Sequence, residues 1–198
     1  MYVSFAMATV IGVYLTWVAG PFILLVGVLS IASGIAYTGG PYPLGYNGLG
    51  DLFVFVFFGV VAVCGTVFVE AGRLSALAYY SSVPVGALAT AVLVVNNLRD
   101  GPTDIKAGKR TLVVRFGRRF GRAEYLTLIA SAYLVPTYLC VSGQIGRAGL
   151  LPLLTIPLAL PLCRSVVRDH GAPLNQTLAG TARLLLFHGL LFAVGIIL

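Results

Sequence analysis

Charge is what this chain has least of. Lys, Arg, Asp and Glu make up 10% of its 198 residues, against roughly 25% in an average soluble protein. Six of those residues are acids. With 59% hydrophobic residues and a mean hydropathy of +0.97, a soluble fold of this size would expose more apolar surface than water tolerates. Cysteine is also sparse. Cys64, Cys140 and Cys163 lie scattered in or beside apolar segments, with no spacing that makes a disulfide framework or a thiolate metal site. They read as small core or lipid-facing residues. No stretch repeats with a period of 20–50 residues, which excludes a solenoid or propeller. The opening residues carry no basic leader before their apolar run, so they do not read as a cleaved signal peptide.

What is present is a series of apolar runs near the roughly 20 residues that cross a bilayer. Seven spans are expected: about Tyr2–Ala19, Phe22–Thr38, Leu52–Val69, Leu77–Val95, Tyr125–Val141, Leu150–Cys163 and Thr177–Leu198. The chain therefore reads as an all-α, polytopic transmembrane bundle, one domain over residues 1–198. Gly20–Pro21 breaks the first span from the second. Asp51 reads as the N-cap of the third. Pro152, Pro157 and Pro161 make the sixth irregular. A charged loop is expected over about Asn96–Arg122, and a second over Arg164–Gln176.

The net charge of +7 is distributed unevenly. With the spans alternating, ten cations fall on one side, eight of them between Arg99 and Arg122 and the others at Arg164 and Arg168; Arg73 and Arg147 fall on the other. That asymmetry is a topological signal and places the loop 96–122 in the cytoplasm. It accounts for the basic balance without a nucleic-acid partner. Trp17 reads as an interfacial anchor. His188 reads as a hydrogen-bonded structural residue, Asn175 as a helix cap, and Asp169 with His170 as solvated turn residues.

Orientation needs no acids, yet half of the six lie between 100 and 124. Asn96, Asp100 and Asp104 are spaced i, i+4, i+8, so a continuous helix would carry them on one face. Two carboxylates four apart repel on an exposed helix. A divalent cation turns that repulsion into a ligand pair. Mg²⁺ suits it, since it takes one or two carboxylates and completes its octahedron with water and substrate phosphates. Lys106, Lys109 and Arg110 follow and are placed to neutralise phosphate oxygens. Asn97 would orient an Asp or a metal-bound water. Carboxylates, cation and basic side chains together suit a diphosphate, and a diphosphate met inside a membrane suggests a lipid one. The cations Arg115, Arg118, Arg119 and Arg122 are equally well explained by topology alone.

A second segment, Tyr37–Asp51, is dense in Gly, Pro and Tyr. Such backbone survives at membrane depth only where protein covers it or a wet cavity adjoins it. It falls on the same side as the Asp-bearing loop. Tyr42 and Tyr46 either stack on an aromatic substrate or face a developing cation, or else belong to an interfacial aromatic belt.

These residues resemble the UbiA-type intramembrane prenyltransferases. Asp100 and Asp104 match that superfamily's second aspartate-rich motif, DxxxD. NNLRDGPTDIKAGKRTLVVRFG (96–117) and AYTGGPYPLGYNGLGDLFVFVFFG (36–59) are similar to the 1,4-dihydroxy-2-naphthoate polyprenyltransferase branch of menaquinone synthesis, as is LAGTARLLLFHGLLFAVG (178–195). The resemblance implies nine spans, of which those here would be the third to the ninth. It also implies a first motif of the form NDxxD, which this sequence does not contain, so a chain lacking two N-terminal spans is expected. The implied activity is Mg²⁺-dependent transfer of a polyprenyl group from an allylic polyprenyl diphosphate to 1,4-dihydroxy-2-naphthoate, with loss of the ring carboxylate. Asp100, Asp104 and Asn97 would be catalytic, the two Asp also metal ligands; Lys106, Lys109 and Arg110 would bind diphosphate, and Tyr42 and Tyr46 the aromatic or cationic partner. Another aromatic acceptor is the alternative within the superfamily. A transporter or scaffold is the alternative outside it.

Overall fold

A computed structural model describes residues 2–198, and every regular element in them is helical. Helix α1 covers Tyr2–Ala19 and α2 Pro21–Thr38. Gly20, at a left-handed φ of 91°, turns the chain between them, and Pro21 opens the second helix at the position proline tolerates best. After the irregular segment 39–49, α3 spans Gly50–Ala71. It includes a wider π-type turn over Phe55–Val61. Gly72, left-handed, ends it, and the Ser75 hydroxyl caps the next helix by accepting from the Ala78 N–H. Helix α4 then runs from Ala76 to Lys106, and α5 from Leu112 to Val141. Helix α6, Arg147–Arg168, starts as a long 3₁₀ stretch to Thr155, the irregularity its prolines predict. Helix α7 spans Leu174–Ile197.

Six of these seven helices are long and apolar enough to cross a membrane, and α1 adds a shorter apolar stretch, Val3–Ala19. Large side chains such as Trp17, Phe58, Leu134 and Val141 stand exposed on the outside. The buried core is built mainly by α4, α5, α6 and α7, with Leu88, Val95 and Leu98 meeting Tyr125, Ile129, Leu162 and Leu184. Helix α3 joins this core through glycine. A Cβ on Gly59 would stand 2.7 Å from the Cα of Gly86 in α4, so the two backbones touch where neither carries a side chain.

The expected loop over 96–122 is largely helix. Helix α4 continues eleven residues beyond Val95, and the connection shrinks to 107–111. Tertiary packing decides this: Asn97, Leu98, Gly101 and Asp104 are all buried, and burial overrides weak local propensity. Helix α5 likewise starts at Leu112 rather than Tyr125. It is interrupted once, at Gly117 (φ 81°, ψ 171°), after which the helix resumes at Arg118.

Proline within these helices sets up a second layer of bonding. Pro102 has no N–H, so the Leu98 carbonyl four residues earlier loses its helical partner. The Arg118 guanidinium supplies one at 2.6 Å. Pro136 does the same to Ala132, whose carbonyl meets His188 Nε2 at 3.1 Å. A carbonyl only accepts, so Nε2 carries the proton. His188 is buried and hydrogen-bonded, as its surroundings in the sequence suggest.

Candidate functional site

The last two turns of α4 carry the site's acids. Asn97 and Asp104 lie seven residues apart, about two turns, on the buried face, exposed by 6% and 4% respectively. Asp100 stands at the edge of that face. The helix is continuous through Pro102, so Asn96, Asp100 and Asp104 do rise in register along it. Both carboxylates are countered. Arg99 forks onto Asp100, with Nε 2.7 Å from Oδ1 and Nη2 2.6 Å from Oδ2. Lys109 Nζ lies 2.9 Å from Asp104 Oδ1. The Asp104 carboxylate beside it raises the Lys109 ammonium above its ordinary value.

The glycine-rich segment closes over this turn. The Arg110 N–H donates to the Tyr46 carbonyl at 2.7 Å. Arg115 bridges the two segments, with Nε on the Arg110 carbonyl and Nη2 on that of Asn47. Gly48 makes the approach possible. Its φ is 79°, and a Cβ there would stand 2.9 Å from the Arg110 oxygen, a position open only to glycine. The Tyr46 ring receives the Lys109 ammonium, 5.2 Å from its centroid. The irregular backbone is thus bonded to the 107–111 turn and half-buried at Asn47 and Gly48, while Gly40, Pro41, Tyr42 and Tyr46 stay exposed.

The sequence-derived residues are therefore brought to one end of the bundle, in unequal positions. Asp104, Lys109 and Tyr46 meet directly. Asn97 is buried on the Asp104 face, while Lys106, Arg110 and Tyr42 are exposed around it. Two cavities adjoin. One, of about 390 Å³, lies between α2 and α3 and is lined by Tyr37, Phe53 and Phe57. The other, of about 430 Å³, runs between α3, α4 and α7 from Asn96 past Leu93 and Phe58 to Leu178 and Leu185.

Several polar residues take parts their sequence context did not reveal. Asp51 is not a cap: α3 begins at Gly50, its N-cap is Leu49, and Asp51 is 5% exposed with Oδ1 lacking a partner among the described residues. Its one visible signal is an acid heading an uncharged apolar run. Asn175 is not a cap either; Pro173 precedes α7, and the Asn175 amide oxygen accepts from Arg99 at 2.8 Å. Asp169 is no free turn residue. Its carboxylate accepts from Ser165, and its carbonyl from Arg118 at 3.1 Å. Arg122 reaches the Val166 carbonyl at 3.2 Å. These are unfilled carbonyls at the C-terminal end of α6, where cations bind well.

Two carboxylates one turn apart with a neighbouring amide are oxygen donors of the type Mg²⁺ takes, an ion that completes its octahedron with water and phosphate; in this structure Arg99 and Lys109 sit on those carboxylates. Among the described residues no group of three His, Cys, Asp or Glu side chains converges as a full metal cage, so any ion held here depends on ligands from outside these carboxylates.

Comparison with known proteins matches the profile of the UbiA prenyltransferase family to residues 1–197. The chain is 42% identical over 168 residues to the 1,4-dihydroxy-2-naphthoate octaprenyltransferase of Mycobacterium tuberculosis, covering 85% of this chain and 56% of that protein. It is 38% identical over 176 residues to the protein of the same name from Escherichia coli, covering 88% and 57%. With human UbiA prenyltransferase domain-containing protein 1 it shares 35% over 168 residues, covering 85% and 48%. The chain spans about half the length of these relatives.

Proposed function

The chain belongs to the UbiA prenyltransferase family, and from that premise we propose that it forms the acceptor-prenylating part of a membrane enzyme. The reaction is transfer of a polyprenyl group from its allylic diphosphate to 1,4-dihydroxy-2-naphthoate, with decarboxylation. The names of the bacterial relatives support the acceptor. One observation carries the reading for this chain: the Arg110–Tyr46 backbone bond draws the glycine-rich segment onto the Asp turn, so Asp104, Lys109 and Tyr46 share one site. That end of the bundle faces the cytoplasm, and residues 1–198 act as one domain.

Asp100 and Asp104 would hold Mg²⁺, with Asn97 orienting a carboxylate or a bound water. When bound, the ion supplies Lewis-acid neutralisation of diphosphate charge. Lys106, Lys109 and Arg110 grip the same oxygens directly, through charge-assisted hydrogen bonds. The cavity beginning at Asn96 is apolar along its length and takes the first isoprene units of the donor, whose tail then reaches lipid without crossing water. Tyr42 and Tyr46 present ring faces to the aromatic acceptor and to positive charge developing at the allylic carbon. Tyr46 is already seated against one cation, Lys109.

Asp104→Ala in the full-length protein tests this. Membranes supplied with a polyprenyl diphosphate, the naphthoate and Mg²⁺ are expected to lose prenylation by about 100-fold or more, since several kcal/mol of charge stabilisation goes with the ligand. Wild-type turnover by that variant would refute the assignment.

A further inference from the structure

The Asp-bearing turns of α4 are fastened to the rest of the bundle by a residue outside the acids and their counter-ions. Pro102 sits between Asp100 and Asp104 and strips the Leu98 carbonyl of its helical donor. In a bilayer a bare carbonyl is costly. Arg118 fills the gap. One guanidinium nitrogen donates to Leu98 at 2.6 Å and the other to the Asp169 carbonyl at 3.1 Å. One planar group thereby ties the open carbonyl of α4 to the end of α6. Gly117 is the reason Arg118 faces that way, because its left-handed φ of 81° restarts α5 in a new direction at Arg118. A Cβ at Gly117 would meet nothing within 4 Å, so glycine is there for its backbone angle rather than for space.

A second tie runs alongside. Arg99 holds Asp100 and reaches Asn175 on α7 at 2.8 Å. The corner between α6 and α7 is itself closed by the Ser165 hydroxyl, which bonds the Asp169 carboxylate and Thr177. The turn carrying Asp100 is thus anchored twice, by Arg99 through its own side chain and by Arg118 through the Leu98 carbonyl.

We propose that Arg118 is a positioning residue for the Asp100–Asp104 pair, acting through the Leu98 carbonyl that Pro102 leaves open. The inference rests on the metal–diphosphate reading of that pair. Arg118 touches neither acid. It holds the helical turn that carries them, and with it the separation and facing of the two carboxylates. Residues that orient ligands in this way typically govern metal affinity by 10–100-fold.

The test measures metal binding, not turnover. The full-length protein in detergent is titrated with Mn²⁺ in the presence of methylenediphosphonate, and free Mn²⁺ is read by electron paramagnetic resonance. Arg118→Gln is expected to raise half-saturating Mn²⁺ by about 10-fold, and Arg118→Lys, which keeps one donor for Leu98, by less. Pro102→Ala supplies the missing N–H, so in that background Arg118→Gln is expected to cost about 2-fold or less, because the carbonyl no longer depends on the arginine. Should Arg118→Gln not fold, Arg118→Lys with and without Pro102→Ala answers the same question. Wild-type affinity in the Arg118 variants overturns the inference, as does an equal loss with and without Pro102→Ala. Absence of Mn²⁺ binding to the wild type overturns the metal reading of Asp100 and Asp104 instead, and the inference with it.

Discussion

Asp104 and Lys109 depend on one another for different reasons. The carboxylate is almost wholly buried, and the ammonium about one-third exposed, 2.9 Å away. Removing the lysine strands a buried charge; removing the acid leaves the lysine free to turn to water. Lys109→Met is therefore expected to destabilise the protein by about 1–3 kcal/mol, the cost of a buried acceptor without its donor, and Asp104→Asn in addition is expected to return most of it. The pH dependence has a definite sign. Asp104 raises the Lys109 value above the ordinary 10.5, so the pair's contribution is complete below 10.5 and disappears as pH rises through the elevated folded value. Thermal unfolding in detergent of wild type and Lys109→Met from neutral pH upward should show a constant gap that narrows in strong alkali. A gap closing near neutral pH would mean that the ammonium is not held by this acid. At this scale the sequence reveals which residues assemble but not how they pair. The DxxxD spacing and the trailing cations mark Asp100, Asp104 and Lys109 unaided. That Arg99 turns back onto Asp100, and that Asp51 goes inside, depends on which faces other helices cover, and no local pattern records that.

Helices in this chain are joined where prolines open them. Pro102 exposes Leu98 to Arg118, and Pro136 exposes Ala132 to His188. In each case a polar group from another helix replaces a bond the backbone forfeits, which explains how prolines persist in membrane-embedded helices. The histidine pair is open to direct test away from the candidate site. His188→Leu leaves the Ala132 carbonyl unsatisfied and is expected to cost about 1–3 kcal/mol. Pro136→Ala restores the helical N–H, so the double variant should be more stable than the sum of its single effects requires. Detergent-phase thermal unfolding of the four proteins measures the coupling; strict additivity would show that His188 does not serve this carbonyl. The same logic accounts for where helix boundaries escape the sequence. Gly20–Pro21 and the prolines of α6 behave as local rules prescribe, since nothing overrides them. The segment 96–122 reads as a loop because it is charged and contains Gly101–Pro102 and Gly108. It is helix because Asn97, Leu98, Gly101 and Asp104 find a buried face and Arg118 repairs the proline.

Over the whole molecule, polarity is gathered at one end. Arg99, Arg115, Arg118 and Arg122 all make interhelical or loop bonds there, and Lys106 and Arg110 stand exposed beside them. Arg73 follows α3, and Arg147 opens α6, which puts both at the opposite end of alternating helices. The asymmetry is of the kind the positive-inside rule describes, and the bonds give several of these cations a use of their own, fastening neighbouring elements. Orientation and fastening separate experimentally. If orientation follows cation number, the end bearing Lys106 lies in the cytoplasm and that bearing Arg147 outside. Lys106→Cys and Arg147→Cys, each placed in a protein whose Cys64, Cys140 and Cys163 are replaced by Ala, report on this through a membrane-impermeant maleimide. Sealed right-side-out vesicles should label position 147 and spare 106, and inverted vesicles the reverse. The opposite pattern would put the Asp turn outside, away from cytoplasmic diphosphates, and the proposed chemistry would lose its substrate. Arg122→Gln keeps enough neighbouring charge to leave that labelling unchanged while removing the bond to Val166, so unchanged topology with a lowered unfolding temperature would identify fastening as this arginine's main contribution.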